Sequence, residues 1–518
     1  MRDRRSGILL HPTSLPGPHG AGDLGGAAHR FAGWLADAGQ RLWQVLPLGP
    51  TGFGDSPYQA LSSHAGNPLL VSLEVLRSEG WLDGGDLSGA PAGEPDRADL
   101  HAALEWKRER LARAARAFRA GADGERAAEL EDFRAREAAW LDDWALFAAL
   151  KAAHGGRPWT AWPAPLARRE PAALEAARAR FAHEVFAEVF AQFAFFRQWT
   201  ALRARCRALG IELMGDLPIY VAHDSAEVWT RPELFRLDAA GEPAAVAGVP
   251  PDYFSATGQR WGNPLYDWEA VAREGWRFWI ERVRGALALV DRIRLDHFRG
   301  FEAYWEIPAG APTAERGRWV PGPGARLFEA LLRALGPLPF VAENLGVITP
   351  EVEALRRRFG LPGMAILQFA FGDDPQAPTF QPHNYAPDLV AYTGTHDNDT
   401  VAGWWRGGAG DSVRTAEAVA REKAFALEYL GVDGRDVPGA MIRAVLASVA
   451  DTAVFPLQDA LGLGSEARMN TPATLGGNWR WRVREEALDA ALAARLRRLA
   501  AVYGRAPAQA GLRSSNQK

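Results

Sequence analysis

Eight times between Gly7 and Asp459 a short apolar run of strand length ends in a polar or acidic cluster, and helical spacing fills most of the intervals. This alternation constrains the chain more than any other feature, because strand, helix and strand in succession build parallel pairs. The runs centre near residues 8, 43, 213, 293, 341, 367, 391 and 454. Ile8-Leu9-Leu10 leads into His11, Leu42 to Leu46 into a Gly/Pro-rich loop ending at Tyr58, and Ile211 to Met214 into Asp216. Phe340-Val341-Ala342 stops at Glu343, Ala365 to Phe369 precedes Asp373, and Leu389 to Tyr392 runs into His396-Asp397. Eight such units predict a closed (β/α)8 TIM barrel of the α/β class, with the polar clusters gathered on its C-terminal rim. An open doubly wound sheet ranks lower, since no glycine-rich phosphate loop follows the first run.

At 518 residues the chain is longer than a plain barrel requires, so one catalytic domain over 1–518 with insertions is expected. Residues 95–190 are dominated by Ala, Arg and Glu, with Phe118, Phe133, Trp140, Trp144 and Phe147 spaced for helix faces, which predicts an inserted helical subdomain. Residues 219–268 are too long for an ordinary connection and too aromatic for a linker, and read as a lid or binding-loop insertion. A helix over 27–38 stops at Gly39; another begins with Thr349 as N-cap and Pro350 in its first turn and ends before Gly360. Further helices are expected near 193–209, 324–335 and 437–448, and the tail from Ala506 is expected to fray.

Net charge is −4, from 59 basic and 63 acidic residues, and no basic patch stands out, so nucleic acid is not an expected partner. No run approaches a membrane span, and Ile8-Leu9-Leu10 is too short for a signal core. With a single cysteine, Cys206, the chain has no disulfide framework and suits a reducing compartment, so a cytoplasmic location is expected. The 20 tryptophans include several beside Gly, Asn or charged residues, as at Trp261, Trp404-Trp405 and Trp479. Most serve packing, but such residues also offer flat faces to sugar rings.

The stretch Ala286 to Phe301, ALALVDRIRLDHFRGF, reads as a strand that leaves an apolar core and delivers charge to a rim. Two apart on a strand, Arg294 and Asp296 share a face, and the guanidinium keeps the carboxylate charged, as a nucleophile requires. Taken alone the pair is better described as a structural ion pair at a strand end, and only its company in the rest of the chain favours the nucleophile. Acids at the ends of the fourth, fifth and seventh strands, Asp296, Glu343 and Asp397, would however converge across one barrel mouth. His11, His64, His297 and His396 have no metal-binding spacing, so carboxylate chemistry is favoured over metal hydrolysis and neither metal nor cofactor is expected. A retaining glycosidase uses two carboxyls, one ionised and one holding a proton. Arg294 beside Asp296 suits the first, and the apolar run before Glu343 suits the second.

The segments GILLHPTSLP, WQVLPLGPTGFGDSPYQ, GDLPIYVAHDSAEVW, GVPPDYFSATGQRWGNPLY, RLDHFRGF, AENLG, YTGTHDNDT and RMNTP occur in this order over residues 7–472. Through them the chain resembles the 4-α-glucanotransferases of glycoside hydrolase family 77, also called amylomaltases or disproportionating enzymes, within the α-amylase clan. The resemblance implies Asp296 as nucleophile, Glu343 as general acid and base, and Asp397 as the carboxylate that engages the 2- and 3-hydroxyls. It implies Arg294 positioning the nucleophile, His396 as a hydroxyl ligand, and Tyr58, with Ser56 in the same motif, under the sugar at the cleavage point. Asp216, Trp261, Asp373 and Asn470 match further donor or acceptor contacts. Two positions depart from the family pattern: Asn344 stands where Asp is common, and Ala473 where Gly is common; neither belongs to the three carboxylates.

The activity implied is transfer of an α-1,4-glucan segment to the 4-hydroxyl of an acceptor by a double displacement. Maltooligosaccharide, amylose or starch-type chains would serve as donors, and glucose or another glucan as acceptor. Aromatic loops around 250–262 and 470–481 would exclude water and hold the acceptor. An α-glucan hydrolase of the same clan and a non-catalytic glucan-binding protein are the rivals.

Overall fold

The computed structural model describes residues 4–507, apart from 92, 252–254, 256, 408–414 and 475. Eight short strands form one sheet: β1 (Arg5–Leu9), β2 (Leu42–Gln44), β3 (Glu212–Pro218), β4 (Arg292–Asp296), β5 (Phe340–Ala342), β6 (Gly363–Ile366), β7 (Leu389–Tyr392) and β8 (Thr452–Pro456). All its pairings are parallel, in the order β6-β7-β8-β1-β2-β3-β4-β5. The two ends meet where the Ala342 amide donates to the Pro362 carbonyl at 2.8 Å, so the sheet curls into a nearly closed (β/α)8 barrel. Strands β1, β2, β5 and β6 are buried along their whole length, as expected for parallel strands covered on both faces. Because the strands run the same way, Asp216, Asp296 and Glu343 all reach one rim.

The expected strands are all present, with two shifts in extent. Leu287 and Leu289 belong to the helix Arg277–Leu289, and β4 starts only at Arg292. An apolar run suits either element, and here Phe278, Trp279 and Val283 bury that helix against the barrel wall. The run expected at 365–369 instead begins at Gly363 and turns at Leu367 into a 3-10 helix, Leu367–Ala370.

The 219–268 stretch is not loop throughout. It contains the helix Ala226–Thr230 and two strands, Ala245–Val249 and Gln259–Pro264. With Ala303–Pro308 and Arg318–Pro321 they form a four-stranded antiparallel sheet. Ala245–Val249 pairs with Gln259–Pro264 and also with Ala303–Pro308 beyond β4, a non-local pairing that leaves no local periodicity to read. Asp252, Tyr253 and Phe254, expected in an aromatic loop, lie outside the described residues, as does the tail from 508.

Between β2 and β3 the chain forms the helices Leu100–Gly121, Gly124–Arg136, Leu141–Ala153, Ala164–Ala167, Pro171–Arg180 and Ala182–Ala208. The first is pinned to the barrel by a fully buried amine: Lys107 pairs with Asp23 at 3.1 Å and donates to the carbonyls of Leu69 and Val71 at 2.7 and 2.9 Å. These partners compensate a burial that would otherwise be strongly unfavourable. No helix among the described residues is long and apolar enough to cross a membrane.

Candidate active site

The site is built around Arg294. The register sets Arg294 on β4 opposite Asp216 on β3, and its buried guanidinium fills the space between two carboxyls. Nη1 donates to Asp216 at 3.0 and 2.7 Å and to Asp296 at 2.9 Å. Asp216 has no accessible side-chain surface and also accepts from the Tyr58 hydroxyl at 2.9 Å. Burial pushes the Asp216 carboxyl up to about 6 against the pull of Arg294. Asp296 keeps more than a quarter of its side chain open to the barrel mouth. Ser56 acts one step back: its Oγ accepts from the Tyr58 amide at 3.2 Å and caps the short turn Pro57–Gln59.

Glu343 follows β5, and backbone groups fix its carboxyl. Oε2 accepts from the His297 amide at 2.7 Å, and Oε1 from the Leu345 amide at 3.1 Å. His297 directly follows Asp296, so the carboxyl of Glu343 is tied to the residue beside the other acid. Burial pushes Glu343 up to about 8, with Arg294 opposing and Asp296 adding to the rise. His297 has φ 51° and ψ 52°, a left-handed backbone that costs about 1 kcal/mol for a residue with a Cβ and turns the chain sharply at the rim. Burial pushes its imidazole down to about 4, so the ring is neutral, and it meets Trp261 edge-on at 4.8 Å between centroids.

The third carboxyl, Asp397, lies beyond β7. Asn470 Nδ2 donates to Oδ1 at 2.6 Å, and His396 Nε2 is 3.3 Å from Oδ2. Burial opposes ionisation there, but His396 and Asn470 hold the carboxyl well below the usual range. The buried His396 ring stacks on Tyr58 at 5.0 Å and 16°, which links this group to Asp216 and Arg294. Trp479 packs behind both rings, 5.9 Å from His396 and 6.0 Å from Tyr58.

Of the residues singled out from sequence, Ser56, Tyr58, Asp216, Arg294, Asp296, Glu343, His396, Asp397 and Asn470 thus share one connected cluster, and Trp261 joins it through His297. Asp373 does not: it forms an exposed pair with Arg421 at 2.7 Å, on the helix Ala416–Leu430. Trp479 and Trp481 are also not open platforms, being 5% and 6% exposed, because burial of their large apolar surface is the stronger pull. Sequence reasoning passed over Arg468, which donates to the Asp397 carbonyl at 2.9 Å and the Asn470 carbonyl at 2.8 Å. It also passed over Gln59, which donates to Asn263 Oδ1 at 3.0 Å beside Trp261. Both lie inside the motifs already noted, where neighbouring polar residues were the available signal. Among the described residues no group of three His, Cys, Asp or Glu is arranged to hold a metal ion.

A parallel eight-stranded barrel with three acids on one rim, two of them joined through a single backbone amide, places the molecule among the (β/α)8 barrels with an acidic rim site. Residues 10–488 match the family model described as 4-alpha-glucanotransferase, glycoside hydrolase family 77. The 4-alpha-glucanotransferase of Thermus thermophilus is 54% identical over 505 residues, 96% of this chain and 98% of that protein. That of Aquifex aeolicus is 46% identical over 93% of this chain and 96% of its own length. Among solved structures, the amylomaltase of Streptococcus agalactiae in complex with acarbose superposes with a TM-score of 0.92 at 38% identity, covering 97% of this chain and all of that one. The amylomaltase of Corynebacterium glutamicum, at 19% identity and a TM-score of 0.79 over 97% of this chain and 75% of its own, shares the fold. The chain therefore belongs to the 4-alpha-glucanotransferase family.

Proposed function

We propose that the rim acids divide a retaining double displacement on α-1,4-glucans among themselves, with Asp296 as nucleophile, Glu343 as acid and then base, and Asp397 holding the 2- and 3-hydroxyls of the transferred sugar. Asp296 attacks the anomeric carbon, the bond from that carbon to the departing O4 breaks, and Glu343 gives O4 its proton. The 4-hydroxyl of an acceptor then attacks the same carbon, its proton passes to Glu343, and the Asp296 carboxylate leaves. Two inversions restore the α-linkage. Donors are maltooligosaccharides, amylose or starch-type chains, and acceptors are glucose or another glucan; the single cysteine supports a cytoplasmic setting.

The observation that carries this reading is the unequal environment of two linked acids. Asp296 is bonded to a guanidinium, while Glu343, one residue away through the His297 amide, is buried and pushed up to about 8, so it keeps its proton at neutral pH. Asp397 stays charged beside His396 and Asn470. With its carboxyl fully buried, Asp216 acts through Arg294 and Tyr58 as a positioning residue. Asp373 has no place in this scheme.

An activated glucosyl donor incubated with the Glu343→Gln variant tests the division of roles. A covalent adduct mapped to Asp296 is expected, and an adduct at any other residue overturns it. A maltotriose time course resolved by product size addresses transfer: longer oligomers with glucose are expected, and maltose with glucose alone would mark a hydrolase.

A further inference from the structure

Every junction in the eight-stranded sheet carries a ladder except the one between its ends, β5 and β6, among the described residues. There the Ala342 amide donates to the Pro362 carbonyl at 2.8 Å. In a regular parallel ladder the next rung would run from the Met364 amide back to the Ala342 carbonyl. Instead the Met364 amide donates to Asn344 Oδ1 at 2.8 Å, so a side chain supplies the acceptor for the closing rung.

The other end of that amide is also engaged. Asn344 Nδ2 donates to Glu353 Oε1 at 2.7 Å, and Glu353 is held by Arg356 at 3.0 Å on the same helix, Pro350–Arg358. Arg356 reaches in turn to the Leu361 carbonyl, just before β6, and to Asp388 at 3.2 Å, just before β7. Between the Met364 amide and the Glu353 carboxylate of this chain, the side chain has to accept on one side and donate on the other, which an amide does and a carboxylate does not. Gly363 makes the room: a Cβ there would lie 2.9 Å from Asn344 Oδ1 and 3.1 Å from Nδ2.

Asn344 is flanked by Glu343 and by Leu345, whose amide donates to Glu343 Oε1 at 3.1 Å. We propose that Asn344 is a positioning residue for Glu343: by closing the barrel between β5 and β6 with its side chain, it fixes the turn that presents the Leu345 amide to the acid/base carboxyl. The inference rests on the role given to Glu343 above.

The consequence has a sign. A hydrogen bond from Leu345 favours the charged form of Glu343, so releasing the turn raises the proton affinity of an acid already pushed up by burial. The other groups acting on Glu343 are Arg294 and Asp296 on β4 and the His297 amide. A loosened Glu343 therefore acts as a poorer acid at neutral pH through misplacement, and its alkaline limb moves up.

The test uses the full-length enzyme with Asn344→Ala and, from the opposite strand, Gly363→Ala. Rates of maltotriose disproportionation are measured across pH, alongside urea unfolding. Both variants are expected to lose about tenfold in kcat with KM nearly unchanged, and to move the alkaline limb of kcat/KM up by about one pH unit. Asn344→Asp should behave alike, and adding Glu353→Gln should restore much of the rate, because the new glutamine amide can donate to the new aspartate. Variants that lose stability while keeping the wild-type limb would show a barrel staple and nothing more, and the proposal falls. Near-wild-type transfer by Glu343→Gln would instead remove the acid/base reading, whatever the substitutions at 344 do.

Discussion

Arg294 and Asp216 face each other across adjacent parallel strands, and one guanidinium nitrogen reaches both oxygens of the Asp216 carboxyl while also touching Asp296 at 2.9 Å. Lysine keeps the charge but offers a compact ammonium on a flexible stem in place of a planar fork. Arg294→Lys is therefore expected to lower kcat about 100-fold, corresponding to about 2.7 kcal/mol of transition-state stabilisation, with a smaller change in KM. Initial rates with maltotriose decide it, and a variant within threefold of wild type would mean that the bridge does not orient the nucleophile.

The environment of Glu343 predicts a pH profile. The acid must carry its proton when the first bond breaks, and burial pushes it up to about 8. Transfer is expected to hold from neutral pH to near 8 and then fall tenfold per unit, as Glu343 deprotonates. A kcat/KM profile still flat at pH 10 would count against a buried carboxylic acid as the proton donor.

Ala473 adopts φ 64° in the segment between Asn470 and Trp479, a left-handed conformation that penalises a Cβ. Ala473→Gly is expected to stabilise the protein by about 0.5–1 kcal/mol, and Ala473→Val to destabilise it. Urea denaturation of the three proteins checks the order. Should valine prove as stable as glycine, the strain assigned to this turn is absent.

Arg505 is fully buried at the foot of the barrel, far from the rim in chain direction. It donates to the carbonyls of Arg5 at 2.9 Å, Leu446 at 2.7 Å, Ser448 at 3.1 Å and Ala450 at 2.8 Å, tying the C-terminal segment to β1 and to the connection before β8. Arg505→Ala is expected to cost about 2–4 kcal/mol by leaving several buried carbonyls without this donor. The specific activity of the folded fraction should be unchanged, and scanning calorimetry beside the maltotriose assay separates the two effects.

The residue pattern alone carried the barrel. Eight apolar runs with polar endings are a local signal repeated, and each repeat marks both a strand and the end of it that faces the rim. The three acids were legible for the same reason, as were Arg294 and Tyr58 once their motifs were seen together. Boundaries were less legible: Leu287 and Leu289 read as strand yet lie in a helix, because an apolar run is compatible with both until its packing partner is known. The antiparallel sheet over 245–321 stayed hidden, since its two halves join only across β4, where Ala245–Val249 meets Ala303–Pro308. Asn344 and Ala473 stood out in the sequence only as departures from a pattern, while the structure assigns one to the closing junction of the sheet and the other to a left-handed turn.

What the chain's order of residues determined by itself was which groups are available and on which side of the barrel they emerge, because strand direction and side-chain alternation are set locally. Only the tertiary structure decided that Asp216 is sealed beneath Arg294, that Glu343 is buried against the backbone of His297, that Trp479 supports a stacked pair, and that Asp373 stands at the surface with Arg421. Those distinctions depend on burial and on partners tens to hundreds of residues away in sequence, which only the folded chain brings together.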